Sequence, residues 1–130
     1  MAKPPLGTTP QQQAAVYKIG NLRHHMLLCA GPNCTDTTSG ELSWNYLKRR
    51  IAELGLHNAP QFTYRTRCAC LRICCHGPIM VIYPEGIWYH SATPELIERI
   101  LREHILAGHP VQEYIFENNP LPPAEISAQP

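Results

Sequence analysis

Six cysteines in a chain of 130 residues fall into two groups separated by thirty-three residues that contain none. Cys29 and Cys34 form the first group; Cys68, Cys70, Cys74 and Cys75 form the second. Two short-range pairs joined by a long connection are how a four-ligand metal site is usually written into a chain. Each pair needs one tight loop to place two sulfurs, so little chain entropy is lost in gathering four. A disulfide framework is the weaker reading. The N-terminus lacks the charged-then-apolar pattern of a secretion signal, and a reducing compartment keeps thiols free. Cys29 and Cys34 are forced as ligands, being the thiols of the first half. Adjacent Cys74 and Cys75 project differently, so both are not expected to reach one centre. Spacing alone admits Cys68 with Cys74, Cys70 with Cys74, or Cys70 with Cys75.

Other function classes are thinned by charge and composition. A net charge of +1 removes the electrostatic case for nucleic-acid binding. No apolar run approaches the ~18 residues of a membrane span, so a soluble, cytoplasmic protein is expected. Seven of the thirteen prolines lie in the first ten or last eleven residues. Residues 1–21 and 118–130 are therefore expected to be flexible tails around one domain spanning residues 22–117.

Within that domain, His24 to Cys29 turns apolar at Met26, Leu27 and Leu28 and predicts a short buried strand ending at the first cysteine. Turn formers follow, then a helix capped by Ser39 and running to about Leu54, with Trp44, Leu47, Ile51 and Leu54 as its inner stripe and Gly55 closing it. Gln61 to Arg67 alternates, with Phe62, Tyr64 and Thr66 expected to face inward. The second cysteine loop runs from Cys68 to Pro78. Ile79 to Tyr83, the turn at Gly86, and Ile87-Trp88-Tyr89 predict a β-hairpin. Thr93-Pro94-Glu95 opens a second helix that Gly108 and Pro110 end. The order β-α-β then β-β-α predicts an α/β (α+β) domain, a small mixed sheet of about four strands with two main helices packed on it. Both cysteine loops then leave strand ends, at one edge of a thioredoxin-like domain.

At this level of detail the chain resembles the thioredoxin-like [2Fe–2S] ferredoxins, which share their cluster motif with the small thioredoxin-like [2Fe–2S] subunit of respiratory complex I. The spacing Cys29-x4-Cys34, thirty-five residues, Cys70-x3-Cys74 is similar to the family's motif. So are Gly77-Pro78 after the last of these cysteines, the hairpin IMVIYPEGIWYH, and the downstream stretch TPELIERILREHILAGHPV. The resemblance covers about Leu22 to Glu117. It implies Cys29, Cys34, Cys70 and Cys74 as ligands of a [2Fe–2S] cluster, and a homodimer as the common state. Cys68 and Cys75 have no ligand counterpart in the pattern, and Ala69 stands where a glycine is common.

The function implied is one-electron transfer between redox partner proteins, by an electron carrier that is not an enzyme. Four thiolates also suit tetrahedral zinc, so a zinc-stabilised thioredoxin-like interaction module is the alternative, followed by a thiol-disulfide protein. The last lacks a Cys-x-x-Cys at a helix start. The seven histidines are expected at the polar surface, with His76 placed to influence the site. Arg72 could serve the site or an acidic partner, and Lys48-Arg49-Arg50 is expected to be a solvated helix face.

Overall fold

The computed structural model describes residues 7–122; the outer parts of both expected tails lie outside the described residues. Five strands make one sheet in the order β2-β1-β3-β4-β5. They are β1 (His24–Cys29), β2 (Thr63–Cys68), β3 (Ile79–Tyr83), β4 (Ile87–Tyr89) and β5 (Ile115–Asn118). β1 and β2 run parallel, and every other pairing is antiparallel. The expected order of elements holds. The fifth strand was not anticipated, because its four residues bury little and Phe116 is 40% exposed.

Alternation along the strands sorts side chains onto two faces. Met26 and Leu28, opposite Ile82 and Met80, continue onto Ile87 and Tyr89 and form the core against two helices. The first of these, α2 (Thr37–Glu53), buries Gly40, Ser43, Leu47 and Ile51, three or four apart. Its cap is Asp36, not Ser39: the Asp36 carboxylate accepts from the Ser39 amide at 2.9 Å and from its hydroxyl at 2.7 Å. α3 (Pro94–Arg99), capped by Thr93, runs unbroken into a π-wound segment, Ile100–Leu106. Arg50 does not lie on a solvated face. It forms a two-point ion pair with Glu98, at 2.8 and 2.9 Å, that ties α2 to α3.

β2 presents the opposite face from the one expected. Thr63 is buried, Arg65 lies over the Trp44 ring, and Arg67 pairs with Glu41, so this set faces α2. Tyr64 instead shares the other face with His25. Alternation carries no label for which face is inside, and long arginine stems can cover an edge strand as apolar side chains do.

The expected tails are also shorter. Residues 10–16 form a helix, α1 (Pro10–Val16), with Pro10 in its first turn and a capping box between Thr9 and Gln12. Proline-rich composition suggests disorder, whereas Pro10 occupies the one part of a helix that tolerates proline. At the other end the chain stays paired beyond β4: the Asn119 amide donates to the Gly86 carbonyl at 2.7 Å and Leu121 donates to Pro84 at 3.0 Å.

At the β3–β4 turn, Glu85 accepts hydrogen bonds from His24 at 2.6 Å and His104 at 3.0 Å. The Tyr89 hydroxyl bridges the Val111 amide and the other nitrogen of the His104 ring. His104 is 4% exposed, so this histidine is not a surface residue. Burial pushes the Glu85 carboxyl up, but the His104 and His24 hydrogen bonds outweigh it and hold it at about 2, below its ordinary 4.5. A depressed carboxyl contributes stability that is present above its unfolded value and lost as pH falls through its folded one. Acid melting curves should therefore show a stability loss beginning near pH 4.5 and deepening toward 2. Glu85→Gln should flatten that segment while lowering the neutral-pH melting temperature.

Candidate metal centre

β1 delivers Cys29 to the end of the sheet on the face away from the helices, opposite Ile79 of β3. The loop that follows turns back before α2 and returns Cys34 to it, so that the two sulfurs stand 3.1 Å apart as free thiols. Both are buried, at 1% and 6% exposure, beside Ile79. Leu71 and Ile73, from the second cysteine loop, fold onto this small apolar cluster together with Trp88. The inner pair is thus roofed by the loop that carries the outer cysteines.

Three backbone hydrogen bonds dock that roof. The Gly77 amide donates to the Cys34 carbonyl at 2.9 Å, joining the two cysteine loops directly. Ser91 donates to the His76 carbonyl at 2.7 Å, and Ala92 to the Pro78 carbonyl at 2.9 Å. Gly77 has no room for a side chain: a Cβ there would meet the Cys34 Cβ and carbonyl oxygen at 2.7 Å. Gly77→Ala should therefore loosen the second loop while sparing the main core. The expected readout is faster amide exchange over residues 69–78, with protection of β1 and β3 retained.

The two inner thiols are shifted in opposite directions. Burial pushes the Cys34 thiol up, and the Cys29 hydrogen bond and charge add to it, reaching about 11. Burial also opposes ionisation of Cys29. There the amides of Gly31 and Leu71 and the Cys34 thiol win, so its thiol is lowered. Outside this pair, the Arg72 amide donates to the Cys70 sulfur at 3.2 Å, an aim made possible by a left-handed Arg72 at φ 69°. Cys74 is exposed, and the neighbouring Cys70 thiol pushes the Cys74 thiol up.

Two cysteine pairs, Cys29 with Cys34 and Cys70 with Cys74, therefore occur at the same end of the sheet. They stand as separate pairs: among the described residues no three His, Cys, Asp or Glu side chains converge on one point. The donor chemistry fits a thiolate-held metal group, since free sulfurs in two adjoining pairs receive backbone N–H groups and are partly shielded by Leu71, Ile73 and Trp88. Cys68 ends β2 in register with Cys29, half-buried, and burial raises its thiol. Cys75 is exposed and lines a hollow with Ile73, His76, His90 and Phe116.

Arg65 and Arg67 are turned toward α2, while Arg72, singled out from the sequence, remains exposed beside Cys70 and Cys74. His76 is exposed, its ring 6.4 Å from that of His90. The Gly31, Leu71 and Arg72 amides were not anticipated. Backbone donors leave no mark in side-chain identity, although a glycine two residues after Cys29 is a trace of one.

No family model matches the sequence. Over 97 residues the chain is 32% identical to a putative 2Fe-2S ferredoxin of Priestia megaterium, covering 75% of this chain and 72% of that protein. It is 29% identical over 96 residues to a 2Fe-2S ferredoxin of Clostridium pasteurianum, covering 71% of this chain and 94% of the relative. A 2Fe-2S ferredoxin of Aquifex aeolicus matches over 60 residues at 33% identity, 46% of this chain and 54% of that protein. In fold, the chain is similar to a solved thioredoxin-like [2Fe-2S] ferredoxin from Aquifex aeolicus, with a TM-score of 0.64 at 22% identity over 80% of this chain and 99% of that one.

Proposed function

Because the chain belongs to the 2Fe-2S ferredoxin family, we propose that it is a one-electron carrier holding a [2Fe–2S] cluster on the thiolates of Cys29, Cys34, Cys70 and Cys74. The observation that carries this reading is the pairing of the two cysteine loops through Gly77 and Cys34, which keeps two thiol pairs side by side at one end of the sheet. When bound, such a cluster takes up and gives back one electron without making or breaking substrate bonds. The role is transfer, and no general base or nucleophile is required of the chain.

What the protein's own residues do follows from their positions. Cys29 and Cys34 would hold the cluster from the buried side, and Cys70 and Cys74 from the side nearer solvent. The Gly31, Leu71 and Arg72 amides offset negative charge on the sulfurs, a contribution that raises a reduction potential. Leu71, Ile73 and Trp88 limit water on the inner side. Exposed Arg72 supplies a positive charge at the solvent side, suited to steering an acidic partner surface. A homodimer and a reducing, cytoplasmic setting, which suits six free thiols, complete the proposal.

Visible absorption of anaerobically purified protein, with iron and sulfide counted, tests the reading. About two irons and two sulfides per chain, with a red-brown colour bleached by dithionite, are expected. A colourless protein holding one zinc would replace electron transfer with a structural module.

A further inference from the structure

A second site lies at the other end of β2 from the cysteines. A cleft of about 420 Å³ opens between the β2 edge, the C-terminal half of α2 and the segment that follows α1. Its walls are apolar where Val16, Ile51 and Ala52 line it, and Lys18, Lys48 and Arg65 also line it. No carboxylate does. Among the described residues none of the three cations is ion-paired. Lys18 is held by the Asn58 side-chain oxygen at 2.7 Å, while Lys48 and Arg65 each stand 5.5 Å from the centre of the Trp44 ring.

Thr63 supplies an independent observation. It lines the same cleft, is 1% exposed, and its hydroxyl has no hydrogen-bond partner. Buried hydroxyls are normally satisfied, and gathered like charges repel unless an opposite charge joins them. Both features are resolved by one kind of occupant. The size falls within the range of about 300–1,000 Å³ common to small-molecule sites.

We propose that this cleft binds a small organic anion, with its apolar body against Val16, Ile51 and Ala52 and a carboxylate or phosphate head held by Lys48, Arg65 and the Thr63 hydroxyl. The site is separate from the cysteine end: Thr63 and Cys68 are five strand residues apart, roughly 17 Å.

That separation makes the site readable by NMR in the full-length, metal-loaded protein. Amide shifts of Asn58, Thr63 and Tyr64 would be followed during titration with 4-phenylbutyrate, phenyl phosphate, neutral 4-phenylbutyramide and inorganic phosphate. Saturable binding of one aryl anion, roughly tenfold or more tighter than the amide, is expected. Whichever of the two binds tighter identifies the head group. The double variant Lys48→Gln, Arg65→Gln should reduce that anion to the amide's affinity. Thr63→Val should weaken it and also raise the melting temperature of the unliganded protein, since it deletes the unpartnered hydroxyl. Equal binding of amide and anion would overturn the proposal in favour of an apolar hollow. Equal binding of inorganic phosphate would leave only a cluster of charge. Unchanged anion affinity in the variants, or no saturable shift with any probe, would overturn it as well.

Discussion

Alanine at Cys29, Cys34, Cys70 or Cys74 is expected to abolish most of the visible colour and bound iron, whereas the double variant Cys68→Ala, Cys75→Ala should keep both. A methyl group offers no donor at all, so each ligand variant leaves a centre short of one anionic ligand. Cys68 makes the experiment discriminating. It ends its strand in register with Cys29, close enough on backbone grounds to substitute for a missing outer ligand. Residual colour in Cys70→Ala that disappears when Cys68→Ala is added would identify such a substitution. Loss of iron in the Cys68, Cys75 double variant would instead overturn the ligand assignment while leaving electron transfer as the function.

The second large effect is expected at Gly40, a position that touches no cysteine. A Cβ there would lie 1.7 Å from the Ala30 carbonyl oxygen and 2.5 Å from its carbon. Neither obstacle is a flexible side-chain end, so α2 and the chain leaving Cys29 must separate. Overpacking usually costs about 1–3 kcal/mol. With backbone as the obstacle, Gly40→Ala is expected at or above the top of that range, with a melting temperature lower by roughly 10 °C or more. Iron content should fall too, because Ala30 follows Cys29 directly. An unchanged melting temperature would mean that the helix can shift on the sheet without loss.

The cysteine spacing, the hairpin and both main helices were legible because each rests on local chemistry: turn formers around thiols, Gly86 between apolar runs, Thr93 before Pro94. The inward face of β2 was not, since Thr63, Arg65 and Arg67 bury against partners distant in sequence, Trp44 and Glu41 among them. α1 was hidden by composition, although Thr9, Pro10 and Gln12 spell its start. Spacing left the choice among outer cysteines open. The structure adds the Arg72 amide on the Cys70 sulfur, a backbone contact that spacing does not announce. The burial of His104 is not legible in sequence, because nothing near it announces Glu85, nineteen residues away.

The main core, from Met26 and Leu28 through the α2 and α3 stripes to Val111, contains no cysteine. Glu85, His24 and His104 lock the end of the sheet farthest from the thiols, and Tyr89 ties that lock to Val111. Maturation can therefore proceed in two acts: the chain completes its scaffold first, and the loop around Gly77 receives iron and sulfide afterwards. The same division governs damage. Oxygen or a chelator that strips the centre would erase the colour and leave an intact vessel, one that a cell could refill without making the polypeptide again.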